Sequence, residues 1–293
     1  MEYIIENEKL KVTVNTYGAE LTSVIFKETG EECMWNADPS VWGRHAPILF
    51  PYAGKLTDGK MLAKGAYYDG AQHGFARDLE HTMTESTPER LVMELRANDE
   101  TKKFFPYDFV LRSIFTLDGQ ILKHAIEVEN TGDCLLNFGL GYHPAFKCPF
   151  DEAHDTEDYE FRFDRIESPM VLETMPHGLL NGKYYYMDKN ISSIQLTDRL
   201  FDNDSFCMSN LRSSKLGIYE KGTGRSVVCD IGEFPYTLIW SQNTEKIRFV
   251  CIEPWHSLPG EENGPLEWEK RESAAVLKPG ETFSTCLNME FNR

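Results

Sequence analysis

Three widely spaced segments of this chain each place one proton-transferring side chain beside glycine, proline or an aromatic residue. They are residues 72–77, which contain His73, residues 141–146, which contain His143, and residues 251–255, which contain Glu253. Two imidazoles and one carboxylate suit acid–base chemistry on a neutral molecule rich in hydroxyl groups. These three residues are therefore the candidate catalytic groups, provided that the fold brings them together.

His143 ends a stretch whose alternation is typical of a β-strand. Within residues 137–143, Gly139, Gly141 and His143 share one face, whereas the other face carries only apolar side chains. Glycine within a strand often marks the close approach of a ligand or of another backbone. The pattern predicts that His143 projects over a floor almost bare of side chains. A histidine that is hydrogen-bonded at a strand end fits the same pattern about as well.

His73 lies after the turn-rich residues 67–70, so the sequence places it in a loop or at the start of a strand. Loops positioned by a rigid scaffold commonly carry function. Arg77, in the same segment, offers a planar fork of five donors that suits a carboxylate or a phosphate. The simpler interpretation is a surface loop in which Arg77 forms a salt bridge with Asp78 or Glu80.

Glu253 follows an apolar run, residues 247–252, that is typical of a buried central strand. Phe249, Cys251 and Glu253 fall on one face of that strand. Partial desolvation of a carboxylate raises its pKa toward a value useful to a general base. The indole of Trp255 is a suitable platform for the apolar face of a sugar ring. The alternative is an exposed strand-end glutamate beside a structural tryptophan.

Three further residues are weaker candidates for binding hydroxyl groups. Asp202 and Asp204 are short acidic residues between apolar ones, a pattern that also fits an Asx turn. Lys55 follows a glycine, and solvation is the default for such a lysine. No spacing typical of a metal site is present, so no metal is expected. A two-histidine, one-carboxylate iron site formed by the three candidate catalytic residues remains an alternative.

The composition excludes several classes of function. The 293 residues contain 30 lysines and arginines against 47 aspartates and glutamates, which gives a formal charge of −17. Such a surface repels nucleic acid and anionic lipid, so neither is expected as a partner. The sequence contains no complete dinucleotide fingerprint and no serine-hydrolase motif.

The chain is predicted to be cytoplasmic. Its seven cysteines are odd in number and form no C-x-x-C pair, which argues against a disulfide framework and favours a reducing compartment. The acidic N-terminal residues 1–8 lack the basic region of a signal peptide. No apolar run approaches the roughly 20 residues that span a bilayer, so no membrane contact is expected.

Short strands must position these groups, because the apolar pattern has a period of two along much of the chain. Residues 109–130 are predicted to form a hairpin that turns near Gly119, and residues 283–291 form another alternating run. No long stretch has helical spacing. We expect an all-β fold of the sandwich or barrel type, with residues 1–293 in one domain and the acidic residues 151–158 in a solvated loop.

Taken in order, the three segments resemble the active-site segments of the aldose 1-epimerase (galactose mutarotase) family. Residues 12–21 also resemble the first hairpin of that family, so the resemblance covers nearly the whole chain. The chain most resembles the subgroup of bacterial aldose 1-epimerase-like proteins that are associated with lactose and galactose catabolism. The resemblance implies a large antiparallel β-sandwich of the galactose-mutarotase type, a supersandwich, with no cofactor. We expect a monomer or homodimer whose partner is a small-molecule sugar.

The resemblance also implies roles for individual residues. Glu253 matches the base that takes the proton from the anomeric hydroxyl, and His143 matches the acid that protonates the ring oxygen. His73 matches the second histidine on the ring-oxygen side, which stabilises the opening transition state. Asp204 or Asp202 falls in the region of the family's substrate-binding aspartate.

Two departures from the family pattern bear on the substrate. Lys55 stands where the family usually has an arginine that bonds hydroxyl groups, so the bidentate fork is missing there. The segment after His73 contains Arg77, and an arginine at this place resembles the pattern of the hexose-6-phosphate epimerase branch of the family. The sequence therefore predicts an aldose 1-epimerase that acts on a free or a phosphorylated hexose. A non-catalytic carbohydrate-binding protein on the same fold is the alternative.

Overall fold

The computed structural model describes residues 1–293, and most of its regular structure is β-strand. In chain order the strands are β1 (Glu2–Glu6), β2 (Leu10–Asn15), β3 (Glu20–Phe26), β4 (Glu31–Glu32), β5 (Ile48–Leu49), β6 (Lys60–Ala63), β7 (Ala66–Asp69), β8 (Thr82–Thr87), β9 (Arg90–Arg96), β10 (Phe109–Asp118), β11 (Ile121–Asn130), β12 (Leu136–Phe138) and β13 (Gly141–Tyr142). They continue with β14 (Ala145–Lys147), β15 (Tyr159–Glu167), β16 (Met170–Leu172), β17 (Tyr184–Tyr186), β18 (Ile191–Gln195), β19 (Phe206–Ser209), β20 (Lys215–Glu220), β21 (Ser226–Asp230), β22 (Tyr236–Trp240), β23 (Phe249–Trp255), β24 (Ala275–Leu277) and β25 (Thr282–Asn292).

Helical structure is confined to short 3-10 turns. These are Thr57–Gly59, Ala76–Asp78, Thr101–Lys103, Thr156–Asp158 and Trp268–Lys270. None of them has the length or the apolar character that crossing a membrane requires. These turns join strands, and the turn Ala76–Asp78 contains Arg77.

Two large antiparallel sheets dominate the architecture. The nine-stranded sheet has the order β18-β15-β20-β21-β25-β11-β10-β9-β8. The eight-stranded sheet has the order β17-β16-β19-β22-β23-β13-β5, and β14 also pairs with β23. A four-stranded sheet, β1-β2-β3-β4, and two strand pairs, β12-β24 and β6-β7, complete the fold. The predicted all-β, antiparallel architecture is confirmed.

The alternating segments predicted from the sequence form strands. β10 and β11 make the predicted hairpin, with Asp118 opposite Ile121 next to the turn. Every second residue of β11 is buried, as the period of two requires. The alternating run near the end of the chain is β25, which pairs with both β11 and β21. The acidic residues 151–158 lie between β14 and β15 and are mostly exposed, as predicted.

Side chains from the two large sheets meet in a buried core. The hydroxyl of Tyr142, on β13, donates to the carbonyl of His124 on β11 at 2.8 Å. Phe146, on β14, meets Phe291 of β25 edge-on, with 6.2 Å between ring centroids. Tyr142 and Phe146 belong to one cluster of 61 buried residues, and this cluster contains side chains from both large sheets. This packing fixes the eight-stranded sheet, which carries Glu253 on β23 and His143 directly after β13.

The central strand β23 is buried on both faces. Val250 and Ile252 point into the main core. Phe249 and Cys251 belong to a smaller cluster on the opposite face, where Glu253 also lies. The face predicted for Glu253 from the alternation is therefore the outer face of the eight-stranded sheet, away from the main core. Loops that cross this face complete the site described next.

Candidate active site

Glu253 lies on β23 opposite Leu238 of β22, and only 2% of its surface is exposed. His143 directly follows β13, which pairs with β23 through Gly141 and Trp255. This pairing brings the imidazole to the carboxylate, and 3.3 Å separates Nε2 of His143 from Oε2 of Glu253. Two of the three candidate catalytic residues are therefore neighbours in space.

The two glycines before His143 differ from the prediction made for them. A Cβ atom at Gly141 would lie 2.6 Å from Cδ1 of Trp255, and one at Gly139 would lie 2.2 Å from Oγ of Ser257. The glycines thus make room for side chains at the end of β23 and just beyond it. The prediction of a bare floor beside His143 is wrong, because Trp255 and Ser257 fill that space.

His73 reaches the same region from a constrained turn. His73 and Gly74 both have positive φ angles, of 70° and 73°. The carbonyl of Phe50 accepts hydrogen bonds from the N–H groups of Phe75 and Ala76 at 3.0 and 3.2 Å, which clamps the turn. A Cβ atom at position 74 would lie 2.1 Å from that carbonyl oxygen, so glycine is required there. Strained backbone of this kind is concentrated at functional sites.

The hydrogen bonds of His73 hold its ring as a neutral donor. The N–H of Gly54 donates to Nδ1 of His73 at 3.0 Å, so the ring proton resides on Nε2. Burial, and then the neighbouring His143, hold the pKa of His73 well below its usual range. Nε2 of His73 lies 3.2 Å from the side-chain nitrogen of Gln72, which also carries protons, so the Nε2–H group meets no acceptor there and is free to donate to a sugar oxygen. The rings of His73 and His143 lie 5.6 Å apart.

The three candidate catalytic residues line one cleft of about 250 Å³. Its lining is polar or aromatic apart from Leu238, which suits a ligand with hydroxyl groups and an apolar ring face. The lining residues are Trp42, Gln72, His73, Arg77, His143, Asp204, Ser205, Leu238, Trp240, Gln242, Glu253 and Trp255. The structure therefore brings the catalytic candidates together with three of the predicted binding residues.

Two tryptophans that the sequence analysis did not select form part of the cleft wall. Trp42 stacks on His143, with ring centroids 5.0 Å apart, and Trp240 meets the same imidazole edge-on at 5.6 Å. Trp240 and Leu238 lie on the same face of β22, which pairs with β23. A prediction of this strand pairing would therefore have placed Trp240 near Glu253. Trp42 lies in residues 36–47, which contain no strand, and no pattern in the sequence signals its contact with His143.

Burial sets the charge of the His143–Glu253 pair. Burial, and then the nearby Asp204 carboxylate, raise the pKa of Glu253 well above its usual range. Burial, followed by the charge of Arg77, lowers the pKa of His143 to about 3. Both shifts favour the uncharged side chains, so the carboxyl of Glu253 carries a proton and the imidazole of His143 is neutral. Such a pair can accept a proton at one atom and release one at the other without a change in net charge.

Arg77 lines the cleft with a guanidinium that the protein satisfies only in part. Its salt bridge to Asp78 is long, at 3.7 Å from Nε, and Nε is buried without a hydrogen-bond partner. Asp78 accepts a 2.7 Å hydrogen bond from Arg44, which also donates to the carbonyl of Arg77 at 2.8 Å. Arg44 is itself held by Glu20 at 3.0 Å. The Arg77 backbone is therefore fixed while its side chain keeps donor capacity for a ligand.

Two of the predicted binding residues lie outside the cleft lining. Nζ of Lys55 donates to the carbonyl of His177 at 3.1 Å, because Gly54 turns the chain with a positive φ of 75° just before it. The carboxylate of Asp202 accepts a 2.8 Å hydrogen bond from Arg199. The structure therefore does not bring Lys55 and Asp202 to the cleft that holds the candidate catalytic residues. Asp204 is the aspartate of this region that lines the cleft.

A larger cleft, of about 340 Å³, lies around Trp268 and Arg271. It contains no histidine and none of the candidate catalytic residues. Part of its charge is already paired, as in the 2.7 Å contact between Lys270 and Glu267. The chemistry of the lining therefore favours the smaller cleft as the active site, although the other cleft has the greater volume.

Two groups of side chains bring three potential metal-ligand atoms within 4.8 Å of one another. His73 belongs to neither group, so the structure does not assemble the two-histidine, one-carboxylate alternative. The groups are Asp151 with His154 and Glu220, and His143 with Cys251 and Glu253. In the second group, His143 and Glu253 line the active-site cleft and Cys251 lies behind them, fully buried.

Comparison with known proteins connects this cleft to a family. A family model described as aldose 1-epimerase matches residues 1–289. Among curated proteins, the chain is 31% identical over 283 residues to the plasmid-encoded protein LacX of Lactococcus lactis subsp. lactis. The matched region covers 93% of this chain and 94% of that protein. The chromosomal LacX of the same organism matches with the same identity and coverage.

Solved structures share the whole fold. A galactose mutarotase related enzyme from Lactobacillus acidophilus is 32% identical and has a TM-score of 0.94, with coverage of 100% of this chain and 98% of that one. A galactose mutarotase-like protein from Lactobacillus casei is 28% identical and has a TM-score of 0.92, with 100% of both chains covered. The predicted fold of the galactose-mutarotase type is confirmed.

Proposed function

The chain belongs to the aldose 1-epimerase family, and from that premise we propose that it interconverts the α and β anomers of a hexose by acid–base ring opening and reclosure. The observation that carries the proposal is the buried pair of His143 and Glu253 at the floor of a polar, tryptophan-lined cleft. A base and an acid 3.3 Å apart can reach two oxygens that are bonded to the same anomeric carbon.

The reaction needs two coupled proton transfers. In the reactive form of the pair, the proton of Glu253 has moved to His143. Ionised Glu253 then removes the proton of the C1 hydroxyl while protonated His143 delivers a proton to the ring oxygen. The bond from C1 to the ring oxygen breaks, the aldehyde forms, the C1–C2 bond rotates, and the reverse transfers close the ring on the other face. The number of protons on the pair is the same before and after opening. The shifts toward a neutral pair favour the proton distribution of the open-chain stage.

Other cleft residues position the sugar. The Nε2–H group of His73 donates to the ring oxygen and stabilises the charge that develops there during opening. The indole of Trp255 offers an apolar surface for the ring. Asp204 and Gln242 provide partners for hydroxyl groups. Proton transfers and hydrogen bonds account for every step, so the proposed activity requires neither a cofactor nor a metal.

The test is the rate of anomer exchange. Freshly dissolved α-glucose, α-galactose and their 6-phosphates are followed by polarimetry or exchange NMR, with and without the protein. We expect acceleration for at least one of these sugars. If none is accelerated while calorimetry shows that sugars bind, the enzymatic proposal fails and the chain is a carbohydrate-binding protein on this fold.

A 6-phosphate is the second candidate substrate, because Arg77 favours it. The guanidinium lines the cleft, its Nε has no partner, and Arg44 already engages the adjacent Asp78. A charge-assisted hydrogen bond from such a group to a phosphate contributes about 1.5–3 kcal/mol. The acidic chain, with its formal charge of −17, opposes an anionic ligand, so a phosphosugar depends on this local cation.

We also propose a cellular compartment, a domain organisation and an oligomeric state for the enzyme. All seven cysteines are free, which supports a reducing compartment such as the cytoplasm. Residues 1–293 are proposed to act as one domain, since the cluster of 61 buried residues draws on both large sheets. We propose a monomer or homodimer. The cleft is built from residues of a single chain in either case.

A further inference from the structure

Two residues of the cleft lining, His143 and Glu253, together with Cys251 buried behind them, have the donor set of a borderline-soft metal ion. One ring nitrogen of His143, Sγ of Cys251 and a carboxylate oxygen of Glu253 lie within 4.8 Å of one another, and all three residues are buried. Cys251 and Glu253 are two residues apart on one face of β23, and His143 approaches from β13. Imidazole, thiolate and carboxylate are the donors that zinc takes in proteins.

The spacing fits a tetrahedral ion. Bonds of about 2.0–2.1 Å to nitrogen and oxygen and about 2.3 Å to sulfur place tetrahedral ligand atoms about 3.3–3.6 Å apart. Nε2 of His143 and Oε2 of Glu253 already lie 3.3 Å apart. The thiol of Cys251, within 4.8 Å of both groups, completes the third corner with a small side-chain movement.

We propose that His143, Cys251 and Glu253 form an inhibitory site for Zn²⁺ or Cd²⁺, with the fourth coordination position open to the cleft. His143 and Glu253 line the cleft, so the ion enters by the route of the sugar. A bound ion occupies the acid and the base together and stops proton transfer. The inhibition rests on the proposed mutarotase function, whereas the binding of the ion does not.

Ligand type gives the site its selectivity. Mg²⁺ and Ca²⁺ prefer oxygen ligands, so a site with one sulfur and one nitrogen discriminates against them. The other group of potential ligands, around Asp151 and Glu220, contains no thiol. Arg225 donates to both of those carboxylates, and its positive charge opposes a cation there. A sulfur-dependent signal therefore separates these two groups of ligands, and its loss on substitution of Cys251 assigns it to the group that contains His143 and Glu253.

The binding test uses Co²⁺ as a spectroscopic substitute for zinc. Titration of the full-length protein should produce a thiolate-to-cobalt charge-transfer band that saturates near one ion per chain. Cys251→Ser should abolish the band. Cys207→Ser is the matched control, because Cys207 is also buried and pairs with Leu238, the residue opposite Glu253. A missing band in the unmodified protein, or the same band in Cys251→Ser, overturns the proposal.

The second test is inhibition, with each variant compared with its own metal-free rate. Zn²⁺ and Cd²⁺ should inhibit the unmodified protein, excess chelator should restore the rate, and Mg²⁺ should have no effect. Loss of a second-shell partner costs 10–100-fold in metal affinity, so loss of the Cys251 ligand should raise the inhibitory concentration at least roughly tenfold. Equal inhibition of Cys251→Ser and the unmodified protein overturns the site. If no sugar is turned over at all, the mutarotase proposal fails and the cobalt titration still decides the metal site.

Discussion

Nε2 of His143 lies 3.3 Å from Oε2 of Glu253, and the two side chains expose only 8% and 2% of their surface. Because burial disfavours charge on either group, the pair rests as a neutral carboxyl beside a neutral imidazole. An acid and a base related in this way work as a unit. One group accepts a proton from one substrate oxygen while the other gives a proton to a second oxygen, so the number of protons on the pair does not change.

Glu253→Gln should reduce the rate of anomer exchange at least roughly a hundredfold, the low end for one acid–base group. The amide keeps the volume and hydrogen-bonding capacity of the side chain, so sugar binding measured by calorimetry should persist. Because the pair acts as a unit, adding His143→Gln should cost little beyond either single change. Near-normal turnover in a folded Glu253→Gln protein would remove this residue from the role of base.

Gly74→Ala tests the turn that presents His73. A Cβ atom there would lie 2.1 Å from the carbonyl oxygen of Phe50, at a φ of +73°. Gly30→Ala is the control, since Gly30 has a φ of +75° and no neighbour within 4 Å of its Cβ position. Left-handed strain alone costs about 1–2 kcal/mol. Urea unfolding should show Gly74→Ala at least about 1 kcal/mol less stable than the control, with a slower exchange rate. Equal stability of the two variants would mean that the turn relaxes without cost.

The sequence specified the site wherever alternation along a strand determines which way a side chain points. The face shared by Phe249, Cys251 and Glu253 was predictable because β23 is regular and buried. Lys55 was misplaced because its direction depends on the backbone turn at Gly54, which no periodicity encodes. Trp42 was missed for a similar reason, since its stacking on His143 is set by the path of an irregular loop.

Close packing was the second limit on prediction from the sequence. The glycines at 139 and 141 were correctly taken as positions of close approach, but the approaching atoms are those of Ser257 and Trp255 rather than a ligand. The alternation within one segment predicts which strand positions must have a small residue because another group approaches closely. It does not show which distant side chain fills that space.

Arg77→Ala should distinguish phosphorylated from free sugars. If the substrate is a hexose 6-phosphate, the variant should bind it about ten- to a hundredfold more weakly and bind the free sugar nearly unchanged. Lys55→Ala is the matched control, because its Nζ donates to the carbonyl of His177 outside the cleft lining. Calorimetry with both sugars measures the difference. Equal losses for both sugars in Arg77→Ala would assign this residue to the support of the His73 segment.

Exhaustive chelation should leave the activity unchanged or higher. The proposed reaction uses only proton transfers, and an ion at the floor of the cleft would block the acid and the base. The measurement is the exchange rate before and after chelation, together with elemental analysis of the purified protein. Iron, zinc or manganese near one per chain, with activity lost on removal, would show that the protein needs a resident metal.

Acid should destabilise the fold through buried histidines, and His124 is the clearest case. It stacks on Phe115 with ring centroids 4.1 Å apart, and burial lowers its pKa to about 3. An unfolded chain protonates this ring below about pH 6.5, whereas the folded chain does not, so stability present above pH 6.5 is lost as the pH falls.

Between pH 8 and pH 5 this difference amounts to about 2 kcal/mol for one such histidine. Urea unfolding at the two pH values should therefore show that His124→Leu loses about 2 kcal/mol less than the unmodified protein over this range. His177→Leu, at an exposed position, should lose as much as the unmodified protein. An identical loss in all three proteins would mean that His124 takes up its proton within the folded state, and that the apolar contacts around its ring tolerate the charge.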